Sequence, residues 1–376
     1  MNIDNLTSKT ISSLRFPLTV GIVFIHFNLA QIGIVAHGVE HKLDYSWYNI
    51  VVTLFSDVLP RVGVPLFFFI SGFLFFNSID FGLSGYWKKI QKRARTLLLP
   101  FILWNAIAIV WQLLKIKIHL SSLAIGEISI KSLGYTMFWN WREGGLFLPS
   151  SSLLSTIDIS QGVYPIDVPM WYVRELMITV LVTPLLFFMI KKGKSVFLIV
   201  LGLFWIIFSV EGTGFMEQIL TSVFFFSWGA FYSIYKIDFV RAFQSFPFVL
   251  YLSIPLAIID CLTKDLSYGA FIHNAFVLFG IVSVVILFSW LLQKSKFKIN
   301  SVLTNSSFFV FALHYLFIRN LATFIFMLLG CPYSSCFLIC FYFFIPVVTT
   351  MICCGIYIIL NKFSPTVLGL LTGGRN

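Results

Sequence analysis

The sequence predicts an all-α integral membrane protein of about ten transmembrane helices with both termini cytoplasmic. Two observations carry that prediction: a composition too apolar for water, and an alternation of basic residues between the apolar runs. Hydrophobic residues make up 59% of the 376-residue chain and charged residues only 11%, where soluble proteins carry roughly 25% charged. Phe alone occurs 44 times. A water-facing surface cannot be clothed with so few charges, so the solvent must be lipid.

A helix crosses the bilayer with about 20 apolar residues. Such runs fall at 14–36, 58–76, 96–114, 170–190, 195–210, 218–235, 246–260, 270–292, 307–329 and 336–360. With the N-terminus inside, the cytoplasmic connections hold Lys88, Lys89, Lys92, Arg93 and Arg95, then Lys191, Lys192 and Lys194. Lys236 with Arg241, Lys294 with Lys296 and Lys298, and Lys362 with Arg375 follow. The outer connections hold few basic residues, chiefly Lys42, a scatter across 115–142, and Lys264. Basic residues mark the cytoplasmic side, and one miscounted span would put a cluster on the wrong face.

The net charge of +11 belongs to these loops, so nucleic acid is not an expected partner; the lipid bilayer is. The first run is too long for a signal-peptide core and lacks a small-residue cleavage site, so it is expected to remain as a span. The six cysteines lie in or beside apolar segments without metal-like CxxC pairs and read as free thiols, with Cys331–Cys336 the one conceivable pair. No metal site is expected. The one long connection, 115–168 on the outer side, is expected to fold partly over the outer mouth. The stretch Trp47–Leu59 has the spacing of an interfacial helix.

Ionisable residues inside spans are costly and therefore candidates for function. His26 lies in SLRFPLTVGIVFIHFN, eleven residues after Arg15. Eleven helical steps return within roughly 20° of the same face and rise about 16 Å. Arg15 is thus placed at the cytoplasmic edge and His26 near the midplane. A neutral imidazole there is a ready general base, although hydrogen bonding to a neighbouring helix would also account for it. Arg61, at the outer end of RVGVPLFFFISGF, either snorkels or faces a substrate, and the Ser71–Gly72 pair allows another backbone to approach. The run KKIQKRAR, ending at Arg95, is explained by topology alone; the functional alternative is a site for a phosphorylated cytoplasmic cofactor. In YPIDVPMWYVRE, Trp171 and Tyr172 are possible interface aromatics, whereas Arg174 and Glu175 point different ways on a helix and each needs its own partner. His314, in SSFFVFALHYLF, marks a polar interior.

Together these segments resemble the membrane acyltransferase-3 family of polysaccharide and cell-envelope O-acyltransferases. The matching pieces, in family order, are Arg15-x10-His26, VPLFFFISGFLF, KRARTLLLPFILW, PIDVPMWYVRELM and the late His314. The family often shows Arg-x-x-Arg before the third span; here Lys92 takes the first place and Arg95 the second, which keeps the charge but not a guanidinium's bidentate geometry. The resemblance implies a single transmembrane domain over 1–376, at home in the cell (cytoplasmic) membrane. It also implies transfer of an acetyl or similar group from acyl-CoA, a co-substrate and not a resident cofactor, to a hydroxyl or amine of a glycan or lipid-linked sugar. His26 would be base or nucleophile, and Arg15, Lys92 and Arg95 would hold the donor. Ser71, Trp171 or Tyr172 would meet the oxyanion, with Arg61, Asp167, Arg174, Glu175 and His314 as acceptor-facing or supporting groups. A proton-coupled transporter or flippase would also place His and Arg inside helices, but no internal repeat is apparent. A structural or sensory membrane protein is the third reading.

Overall fold

The computed structural model describes residues 4–27, 46–77, 82–117, 139, 164–210, 214–294, 300–329 and 335–374. Most of the predicted outer connection, Cys331 and the segment 28–45 lie outside them. Every regular element among the described residues is helical. In chain order these are α1 Asn5–Ile25, α2 Ser46–Val52, α3 Gly63–Phe76, α4 Leu83–Arg93, α5 Leu99–Lys117, α6 Trp171–Leu181 and α7 Thr183–Val210. Then come α8 Phe215–Ile234, α9 Phe239–Gln244, α10 Phe248–Leu262, α11 Gly269–Gln293, α12 Ser301–Leu329, α13 Ser335–Phe363 and α14 Pro365–Thr372. Six helical runs among the described residues are long and apolar enough to cross a membrane. Their outward faces carry side chains that water would not tolerate, such as Val196, Ile199, Leu203, Phe204 and Ile207 on α7. The chain is therefore a multi-pass membrane protein.

One of the six runs, Thr183–Ser209, doubles back on itself. Arg174, Thr179 and Ile190 bond to Gln218, Ser222 and Tyr235, so the chain at first runs parallel to α8. Trp205 then bonds to Thr221 and Gly202 faces Phe224, which is the antiparallel order. The reversal sits at Lys194, whose φ of 47° breaks the helix beside Gly193, between the runs predicted at 170–190 and 195–210.

Two predicted elements are corrected. The first helix does not continue to residue 36. It ends at Ile25, with the N–H of His26 bonded to Ile22 and that of Phe27 to Phe24, so His26 caps a helix end. Trp47–Leu59 is no separate interfacial helix either. It runs unbroken into α3 through a π-turn (Thr53–Val58) and a 3-10 turn (Leu59–Val62), where Pro60 has no N–H to continue the α ladder.

The centre of the bundle is the α3–α8 contact. A Cβ on Gly72 would meet the carbonyl of Phe226, and one on Gly229 the carbonyl of Phe69. Small residues let the backbones touch, as in other membrane helix pairs. Phe69, Phe73, Phe225, Phe226 and Phe239 close around the contact. Gly229→Ala is expected to lose about 3 kcal/mol or more, because the obstacle is backbone and cannot rotate away. Thermal unfolding in detergent checks this, and an unchanged midpoint would show that the helices separate at little cost. The described cysteines, Cys261, Cys336, Cys340, Cys353 and Cys354, are free thiols.

Candidate active site

His26, at the end of α1, lines a cavity of about 700 Å³ and is itself half-buried. Its ring packs 5.3 Å from that of His314 on α12 and 5.2 Å from that of Tyr315. His314 is fully buried. Its Nδ1 donates to the Val310 carbonyl at 3.0 Å, which sets the tautomer, because a carbonyl can only accept. The lone pair is thus on Nε2, an atom buried without a partner among the described residues. Two imidazoles, one reachable from the cavity and one held with its acceptor nitrogen unused, meet at the same point.

The rest of the cavity comes from the end of the bundle where residues 57–64, 164–171, 214–221 and 264–277 gather. Arg61 faces into it, paired with Asp57 at 2.8 Å on the same helical run. Across the mouth, Lys264 bonds to the Asp57 carbonyl at 2.9 Å and approaches the buried Asp260 at 3.4 Å. Asp260 also bonds His273 at 2.7 Å. Burial draws the Lys264 ammonium below its usual pKa, and Asp260 opposes the shift. Trp171, Trp205 and Tyr164 add aromatic faces.

The other predicted residues form separate groups. Tyr172 does not line the cavity; its hydroxyl lies 3.1 Å from Ser71 and 3.4 Å from the Phe67 carbonyl. Arg15 and Arg93 both lie within electrostatic reach of that hydroxyl. Lys92 and Arg95 are exposed and line a different cleft, between α4 and α14, with Lys88, Gly373 and Gly374. Arg93, one residue on from Lys92 and so about 100° round the same helix, is half-buried and lies toward Tyr172, away from this cleft. Asp167 is fully buried. Its N–H bonds to Asn105 Oδ1 at 3.1 Å, and its carboxyl oxygens have no partner among the described residues.

Arg174 and Glu175 also depart from expectation, for they partner each other. Both are fully buried, and the guanidinium curls back to give Nε and one terminal nitrogen to Glu175 Oε1 at 3.0 and 2.8 Å. It also bonds to Gln218 and to the carbonyl of Trp139 in the long connection. Adjacent side chains start in different directions, but a long flexible one can bend round to its neighbour.

Residues 9–360 match the profile of the acyltransferase-3 family, described as an acyltransferase domain. The chain belongs to that family. A succinoglycan biosynthesis protein of Rhizobium meliloti (strain 1021), ExoH, is 25% identical over 384 aligned residues, taking in 99% of this chain and 94% of the relative. No solved structure matches. Among the polar residues lining the cavity of this acyltransferase, sequence reasoning passed over Asp57, Glu217, Gln218, Lys264, His273 and Asn274. Lys264 and His273 were detectable as ionisable groups in or beside apolar runs; the neutral Gln218 and Asn274 carried no such mark.

Proposed function

We propose that the chain moves an acetyl or similar short acyl group from cytoplasmic acyl-CoA to a hydroxyl of a cell-surface polysaccharide or its lipid-linked precursor. About ten spans, with both termini inside, would put the cavity of His26 on the outer side and the Lys92–Arg95 cleft in the cytosol, the arrangement the basic loops favour. The cleft has the size and charge for the phosphorylated head of the donor. The pantetheine arm would pass Arg15, Arg93 and Tyr172 toward His26. The acceptor would enter from the cavity.

The observation that carries this reading is the His26–His314 contact at the cavity floor. With its lone pair on Nε2, His314 suits acceptance of an N–H from the neighbouring ring. That would hold His26 with its other nitrogen as base. His26 then takes the hydroxyl proton, the acceptor oxygen attacks the thioester carbonyl, the C–S bond breaks and the proton passes to the departing thiolate. The polysaccharide acceptor is supported by the relative, which serves succinoglycan biosynthesis.

The test is purified protein in detergent with labelled acetyl-CoA and polysaccharide prepared from cells lacking the gene. Covalent label on the polysaccharide supports the proposal. Movement of acceptor into vesicles without any donor would replace it with a carrier. Within this scheme Lys92→Ala and Arg95→Ala are each expected to raise the KM for acetyl-CoA about tenfold, the scale of one charge-assisted hydrogen bond. An unchanged KM would move the donor head out of this cleft.

A further inference from the structure

Two neutral amides lining the cavity have their polarity fixed from behind. Gln218 Oε1 accepts a bond of 2.8 Å from Arg174. A guanidinium can only donate, so the Nε2 amino group is the end left toward the cavity. Asn274 is set the opposite way. Its Nδ2 lies 2.6 Å from Ser209 Oγ, and that hydroxyl gives its proton to the Ile206 carbonyl at 3.1 Å. Ser209 can therefore only accept, Asn274 must donate, and its Oδ1 is the end that remains. Neither Gln218 Nε2 nor Asn274 Oδ1 has a protein partner among the described residues, and neither is sealed from the cavity. The register that pairs Trp205 with Thr221 brings Ser209 level with Glu217, so the two amides open at the same depth.

A fixed donor beside a fixed acceptor is the arrangement that reads hydroxyl groups, each of which both gives and takes a hydrogen bond. The charges around it exclude an anion: Arg61 is matched by Asp57 and Lys264 by Asp260, and Glu217 adds a carboxylate to the lining. The Trp171, Trp205 and Tyr164 rings offer flat apolar faces. We infer that this wall is the acceptor subsite and takes an uncharged saccharide, with Gln218 donating to its hydroxyls and Asn274 accepting from them. This rests on the acyltransferase reading above; Arg174 and Ser209 are positioning residues.

The experiment is calorimetric titration of the full chain in detergent with cellohexaose and maltohexaose, and with the same hexaoses oxidised at their primary hydroxyls to uronates. At least one neutral hexaose is expected to bind saturably, with its uronate at least tenfold weaker. Gln218→Met and Asn274→Leu should each weaken that binding about tenfold and leave the Kd for acetyl-CoA unchanged, a separation that general loosening of the fold would not give. Absence of binding by either neutral sugar, equal or tighter binding of the uronates, or variants that bind like the parent would each overturn the inference. If a variant does not fold, the comparison of neutral and uronate sugars on the parent protein decides. Loss of acyl transfer in His26→Ala, measured alongside, keeps the two readings apart. Transfer by the parent that is lost there, with no hexaose binding, overturns only this inference, whereas absence of transfer by the parent overturns the proposal on which it rests.

Discussion

His26→Ala is expected to lower acyl transfer by about 10²- to 10⁴-fold, the range a positioned general base contributes. The residue stands at the end of α1, half-buried against the cavity, so removing the ring enlarges a space already open and leaves the α3–α8 contact untouched. Folding should survive. Initial rates with labelled acetyl-CoA, alongside size-exclusion profiles in detergent, separate lost chemistry from lost structure. A fall of less than about tenfold in a well-folded variant would take His26 out of the proton-transfer step and point to proximity alone.

Arg174→Ala should be the most damaging single change to stability, at about 3–5 kcal/mol, because it leaves the Glu175 carboxylate buried without its cation. It also removes the bond to the Trp139 carbonyl and the one that orients Gln218. The double variant Arg174→Met with Glu175→Gln should recover much of the loss, since a buried pair exchanged for less polar groups of similar size is often tolerated. Thermal unfolding of the parent, both single variants and the double variant forms the cycle. If the effects simply add, the two side chains are not coupled and the 2.8 Å contact contributes nothing.

What could be read from the sequence was whatever depends on long apolar runs and isolated charges. The lipid-facing class and the reversal between 190 and 195 followed from those, and the family from the resemblance of five motifs in order. The misreadings came from local helix geometry. The π-turns at Thr53–Val58 and Ala94–Leu98 are announced by no pattern of residue types, and the first helps carry Trp47–Leu59 unbroken into α3. Helix α1 stops at His26 although apolar residues continue to Ala36. Arg174 curls back to Glu175 inside the bundle, a tertiary fact. The amides of Gln218 and Asn274 were silent, since an uncharged side chain in a span draws no notice until its partners are known.

The short helix α14 has a practical corollary. Its last turn is fastened to α5 by the Trp104 indole on the Leu371 carbonyl, and Gly373, at φ 65°, presses on Thr96, so Gly373 and Gly374 line the cleft with Lys92 and Arg95. A purification handle or fluorescent protein fused there would hang over the doorway proposed for the nucleotide. If the donor head is held in that cleft as proposed, a bulky group placed just beyond Gly374 lowers turnover by obstructing entry and leaves the fold intact.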